Sequence, residues 1–348
     1  MRRKSARIVC ACVLLIAAAC DYSAPTGGYP KPVDPPVAEV FPDGLWTASG
    51  IPGEILRLES SQLATTGAQE PATRLSTSSA TLFRLNSVAF DSNGMMWVAS
   101  EDDSLLLAFT SENNGGSGFT TPKVVIGSVN RSIAGPTGIA FDRDHGLWVA
   151  SFASGKLVHY SASQLAKSGS PAPSIVITGI SQPTSLAFDV SGGLWVTDLF
   201  ANTISRYLPS QLLSSGEKQP AIVLSANGVS IAHPTGIAFD AANNMWISNS
   251  ADNAVAGFRP PQLTTSGAPK PFVTLKPTET PINGPAGLAF DSFGNLWVVG
   301  ASGVLTRFSL ATITASGDAE PDAQIRLTAH LLTWSVAFWP KPVGFPLN

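Results

Sequence analysis

Beyond Cys20 this chain of 348 residues has no cysteine; all three, Cys10, Cys12 and Cys20, fall near its start. The body therefore holds no disulfide, and its stability must come from packing. Charge is scarce as well: 13% of residues are charged, where about 25% is usual. No apolar run reaches the roughly 20 residues that a membrane-spanning helix needs. What is plentiful is apolar residues, at 44%, together with 31 Gly and 27 Pro. That mixture favours many short strands and tight turns over helices.

At the start, Arg2, Arg3, Lys4 and Arg7 precede an apolar run from Ile8 through Leu14, Leu15 and Ile16 to Ala17, Ala18 and Ala19. Residues 1–19 are predicted to be an export signal peptide. Its removal would take four of 21 basic residues and none of 24 acidic ones, leaving 17 against 24, a net charge of −7. That balance argues against a nucleic-acid partner. The segment Ile16 to Cys20 resembles a bacterial lipoprotein cleavage site, with Ala17 where that pattern usually has Leu. The resemblance implies that Cys20 is lipidated and anchors the chain to a membrane. Residues 20–40 comprise that Cys and a Pro- and Gly-rich stretch, DYSAPTGGYPKPVDPPVAEV, which reads as an extended tether. The expected location is the bacterial cell envelope, on the periplasmic or extracellular side.

The rest of the chain is a repeat. PTGIAFDRDHGLWVAS, Pro136 to Ser151, recurs as NSVAFDSNGMMWVAS from Asn86, TSLAFDVSGGLWVTD from Thr184, TGIAFDAANNMWISN from Thr235 and AGLAFDSFGNLWVVG from Ala286. Trp46, Trp97, Trp148, Trp195, Trp246 and Trp297 follow at spacings of 51, 51, 47, 51 and 51; Phe90, Phe141, Phe188, Phe239, Phe290 and Phe338 mark the same six units. A period near 50 with several short strands per unit predicts an all-β, six-bladed β-propeller of four-stranded blades over residues 41–342, with a short C-terminal tail at 343–348.

In the unit that begins at Pro136, the predicted strands are Gly138 to Phe141 (a), Leu147 to Ser151 (b), Lys156 to Tyr160 (c) and Ser174 to Ile177 (d). Between a and b, an Asp-x-x-Gly spacing predicts a tight hairpin; in the Asp240 copy, Asn243 and Asn244 stand near the Gly position. Between c and d, every unit carries Gly followed four residues later by Pro, from Gly67 and Pro71 to Gly317 and Pro321. Four units add Gln-Leu five residues before the Gly. The pattern predicts one helical turn, stopped by Gly, that buries one Leu per blade. The chain enters with DGLWTAS, a strand b without its a, and leaves with WSVAF, a strand a without its b. Pairing of these termini within one blade is expected to close the ring.

These residues resemble NHL-repeat proteins, a β-propeller family. In Pro183 to Tyr207, the residues Pro183, Ala187, Asp189, Gly192, Trp195, Asp198, Asn202 and Ile204 follow the family pattern. The family includes protein-binding scaffolds, lyases and relatives of metal-dependent lactonases, so the resemblance implies a fold and a range of functions. Structural positions should be uniform between blades and a site should break that uniformity. Around one channel mouth, the ring Asn86, Thr137, Thr184, Thr235, Ala286 and Trp334 is broken by Asn86 and Trp334. Arg84 and His233 stand where most units have a neutral residue; Glu101 follows the end of a strand b, and Asp198 and Asn249 occupy strand-b ends. These seven are the candidate ligand-binding residues. The expectation is a monomeric, non-catalytic scaffold that binds a protein or small molecule, with no cofactor and no metal. The alternative is a lactonase-like hydrolase or antibiotic-lyase-like enzyme with a divalent cation, Ca or Mg, at the channel mouth.

Overall fold

The computed structural model describes residues 43–50, 53–77, 84–111, 117–225, 231–314, 319–328 and 333–342. The predicted signal peptide, Cys20, the tether and the tail lie outside the described residues, as does Gly317. The described residues form six small sheets arranged as a six-bladed β-propeller, each blade an antiparallel a-b-c-d order of strands. Strands a are Leu85–Phe90, Pro136–Phe141, Pro183–Phe188, Pro234–Phe239, Pro285–Phe290 and Thr333–Trp339. The ring closes in one blade, where Thr333–Trp339 pairs with Gly44–Ser49 and sets Leu45 opposite Phe338 and Thr47 opposite Val336. Neither terminal segment has another strand for that edge, so the pairing of a first strand with a last one fixes the circle.

The recurring Trp and Phe are the packing units. Each of the six Trp side chains is at most 2% exposed. The Trp of one blade meets the Phe of the next: Trp46 with Phe90 at 6.2 Å, Trp97 with Phe141 at 6.3 Å, Trp195 with Phe239 at 6.3 Å and Trp297 with Phe338 at 6.3 Å between ring centroids. The edge-on and tilted geometries suit the opposite charges of ring edge and ring face. A period of about 50 residues thus places a Trp–Phe ring pair in five of the six interfaces; in the sixth, Trp148 shares a core cluster with Phe188 while its ring lies 4.9 Å from that of His159 on its own blade.

The Asp of each hairpin holds this arrangement. Asp189 Oδ1 accepts the backbone N–H groups of Ser191 and Gly193, and Oδ2 accepts Trp195 Nε1 at 2.9 Å. The same pattern joins Asp142 to Trp148 at 3.1 Å and Asp291 to Trp297 at 3.0 Å. Gly94, Gly192 and Gly294 adopt φ near +80°, and Asn243 and His145 adopt φ +61° at the matching place. In the Pro136 unit it is therefore His145, not Gly146, that takes the left-handed conformation. Gly146 is small for another reason: a Cβ there would lie 2.0 Å from His159 Nε2.

The segment between c and d differs from its predicted form. A helical turn is present, as in Ala162–Leu165 and Pro260–Leu263, and it buries Leu165 and Leu263. The Gly four residues on does not stop that turn. Gly67, Gly118 and Gly216 pair in parallel with strand d of the preceding blade, as bridges at Gly169 and Gly267 also do. The preceding Ser joins in: the oxygens of Ser168, Ser215 and Ser266 each accept a strand-d N–H at 3.0 Å. These Gly residues have φ from +115° to +159° and open space where a Cβ would lie, so backbone conformation is what requires them. The Gln of Gln-Leu clasps the same loop from inside; Gln164 Nε2 donates to Ala172 O at 2.7 Å, while its Oε1 accepts Ser161 N at 2.9 Å.

Candidate functional site at one channel mouth

Strands a run side by side around the axis, so their first residues meet at one mouth. The predicted ring assembles there: Asn86, Thr137, Thr184, Thr235, Ala286 and Trp334 all line a cavity of about 180 Å³, together with Arg84, Glu101, Phe152 and Leu199. Below the ring, a second compartment of about 240 Å³ continues past Val88, Ile139, Leu186, Ile237 and Leu288 to Lys341. The ring separates the two compartments.

The threonines do not present their protons to the channel. Thr137, Thr184 and Thr235 each donate to the proline carbonyl that opens the next strand a, at 3.0, 2.9 and 2.7 Å. These hydroxyls clasp neighbouring blades, which explains their repetition. The polar chemistry of the mouth lies on one side. Arg84 Nη2 is 3.3 Å from Glu101 Oε2, and Arg84 Nη1 is 3.9 Å from Asp102 Oδ1. Asn86 Nδ2 donates to the same Glu101 Oε2. Asp103 accepts Ser100 Oγ at 2.8 Å just behind.

Arg84 reaches this position through an unfavourable backbone. The residue before strand a has φ +57° at Gly135 and +54° at Gly284, and Arg84 and His233 hold the same left-handed shape at +54° and +47°. Its carbonyl accepts the N–H of the residue after strand b: Arg84 O from Glu101 N at 3.0 Å, Gly135 O from Phe152 N at 3.0 Å and Gln182 O from Leu199 N at 3.1 Å. This link sets Glu101, Phe152 and Leu199 in equivalent places above the ring. The repeat alignment contained that signal, because the residue after strand b changes type from blade to blade. Sequence reasoning took Glu101 from it and missed Phe152 and Leu199.

Asp198, Asn249 and His233 do not line the mouth cavity. Asp198 is buried; its Oδ2 accepts Ser181 N and Gln182 N at 2.9 and 3.2 Å, and its Oδ1 accepts Ala201 N at 3.1 Å. Asn249 Oδ1 accepts Ala232 N at 3.2 Å. Strand-b ends therefore staple the loop that enters strand a, a task Ser151 performs through Ala134 N at 2.8 Å. The His233 ring packs against Phe200 at 6.0 Å, and the backbone N–H of His233 donates to Asn202 Oδ1 at 2.7 Å. Among the described residues, no three His, Cys, Asp or Glu side chains gather as metal ligands.

At the other end, Lys341 is half-buried, with Nζ 5.7 Å from the Phe141 ring centre. Burial pulls its ammonium down to about 8 despite the opposing charge of Asp91.

No family model matches the chain, and no curated protein matches it by sequence. Solved structures match it by shape. A protein of unknown function from Bacteroides caccae superposes with a TM-score of 0.61 at 10% identity, covering 86% of this chain and 100% of that one. A streptogramin B lyase structure gives 0.55 at 13% identity over 90% of this chain and 95% of that one. A nidogen/laminin complex gives 0.55 at 13% over 86% and 98%. At these identities the likeness establishes a shared fold: the chain is a β-propeller, as its structural neighbours are.

Proposed function

We propose that this chain is an exported, lipid-anchored propeller of the NHL type that acts as a non-catalytic binding scaffold at the cell envelope, holding a ligand at the Arg84 mouth. The observation that carries the reading is where the repeat breaks. Five of its departures, at Arg84, Asn86, Glu101, Phe152 and Trp334, line one cavity with Leu199. Packing alone would keep these positions as uniform as the Trp and Phe set. The mouth pairs a fixed ion-pair cluster with an apolar wall, the usual make-up of a small-ligand site. Anchoring rests on the leader-like residues 1–19, the solitary Cys20 and the Pro-rich stretch after it. In this reading Cys20 holds the domain to a membrane and the tether sets it clear of the surface.

The binding half is tested by a thermal-shift ligand screen on the full chain, run beside Trp334→Ala. A mouth ligand raises the wild-type melting point and loses that effect in the variant; hits that shift both proteins equally defeat the reading. For the anchor, Cys20→Ala is expected to move the chain from the membrane fraction to the soluble fraction of a bacterial host. Unchanged fractionation would remove lipidation.

A further inference from the structure

Asn86 is 8% exposed. Its Nδ2 donates to Glu101 Oε2, and this orients the amide, since a flipped group would set oxygen against carboxylate. Oδ1 is thereby turned from Glu101; it is buried and has no hydrogen-bond partner among the described residues. Buried side-chain oxygens are almost always satisfied, so an orphan calls for a donor. Asn86 lines both channel compartments, and the channel is where that donor can enter.

We propose that the mouth binds a small organic ammonium, whose N–H groups donate to Asn86 Oδ1 and Glu101 and whose ring-sized apolar substituent lies against Trp334, Phe152 and Leu199. The proposal rests on the reading of the mouth as a binding site and names the chemical class of its ligand. Three features select an ammonium over a neutral donor or an anion. The first is charge: one guanidinium, Arg84, stands among three carboxylates, Glu101, Asp102 and Asp103, leaving a local excess of negative charge that favours a cation. The second is acceptor supply. Arg84 and Asn86 both address Oε2 of Glu101, so neither of these contacts uses Oε1, and an ammonium carries several donors for Oε1 and Asn86 Oδ1 together. The third is Trp334, which stands where four of the other blades carry Thr or Ala and brings an aromatic face able to attract a cation. The volume suits a modest substituent: the mouth measures about 180 Å³, and an apolar cavity of about 150 Å³ accepts benzene.

The test is calorimetric titration of the full chain with phenethylammonium, its neutral counterpart 2-phenylethanol and the anion phenylacetate at low salt. Expected is saturable phenethylammonium binding, at least tenfold tighter than for either other probe. Asn86→Leu and Glu101→Gln should each weaken it at least tenfold, while Leu213→Ser, at an exposed site remote from the mouth, leaves it within twofold. Melting curves identify a variant that fails to fold, in which case the other variant and the probe comparison decide. Equal binding of 2-phenylethanol, affinity unchanged in both variants, or no phenethylammonium binding overturns the proposal. The mouth reading fails separately, if ligands found in the screen bind Trp334→Ala as tightly as wild type.

Discussion

Two residues before strand a hold a backbone shape that an L side chain adopts at a cost. Arg84 and His233 have φ +54° and +47° where Gly135 and Gly284 stand in other blades. The left-handed region costs a non-glycine residue about 1–2 kcal/mol, part of which glycine returns through its greater freedom when unfolded. His233→Gly is therefore expected to stabilise the fold by about 0.5–1 kcal/mol, read as a rise in denaturant midpoint at unchanged slope. Arg84→Gly relieves the same strain and removes the guanidinium from Glu101, so it should raise the melting point while altering ligand affinity at the mouth. A residue kept against its backbone preference is a candidate for function. A second prediction at this scale concerns acid. Burial of Asp189 opposes its charged form, but Ser191, Trp195, Gly193 N–H and the charge of Arg206 outweigh it and hold the carboxyl below its ordinary value. A depressed carboxyl contributes stability that is present above its unfolded value, near 3.9, and is lost as pH falls through the lower folded value. Asp189→Asn should accordingly flatten the loss of stability on acidification below about pH 4, a difference that urea melts at pH 3 and pH 7 measure.

Strand d is the outermost strand of its blade and would be an open edge; among the described residues, five of these strands meet a Gly of the next blade, preceded by Ser in four of them. Edges left bare invite pairing with other chains. Removing the Ser266 hydroxyl, which accepts Val223 N at 3.0 Å, as Ser266→Ala should cost about 0.5–1.5 kcal/mol, while Gly267→Val forces a β-branched residue into φ +146° and should cost more. If the Gly were only a helix stop, the Ser change would be silent. Where the Gln-Leu turn and the Ser-Gly edge share one connection, as between Gln164 and Gly169, Gln211 and Gly216, and Gln262 and Gly267, the outer rim of the blade is held from both sides.

The ring as a whole has no covalent closure; Thr333–Trp339 on Gly44–Ser49 is what joins its ends. A chain ending before Val336 loses most of that strand, including Phe338 against Trp297. It is expected to lose cooperative folding, far beyond the effect of trimming a surface tail, and a truncated chain that melts like wild type would refute closure by pairing. Lys341, just past this strand, adds a pH dependence. Its ammonium is penalised in the fold and has a value near 8, against 10.5 unfolded. The penalty is complete below pH 8 and is relieved as pH rises toward 10.5. Lys341→Met should therefore raise stability at pH 7, by a margin that shrinks above pH 8.

The architecture was legible in the chain itself, because a repeat of Trp, Phe and Asp at a fixed period can bury its aromatic faces only between copies of itself. Six units and two complementary termini left one way to close. The mouth was legible in part: Arg84, Asn86, Glu101 and Trp334 stood out as departures from the repeat. Tertiary structure decided which departures share a cavity, since Asp198 and Asn249 are drawn into staples by loop amides on their own blades, and His233 turns to Phe200. It also decided the roles of groups that look alike in sequence. The Thr ring, open to solvent in a linear reading, is spent on the next blade's carbonyls. The Asn86 oxygen is orphaned only because Glu101, fifteen residues on, takes its amide nitrogen. Local pattern fixes how strands form, but which polar atom ends without a partner depends on neighbours that only the closed ring brings together.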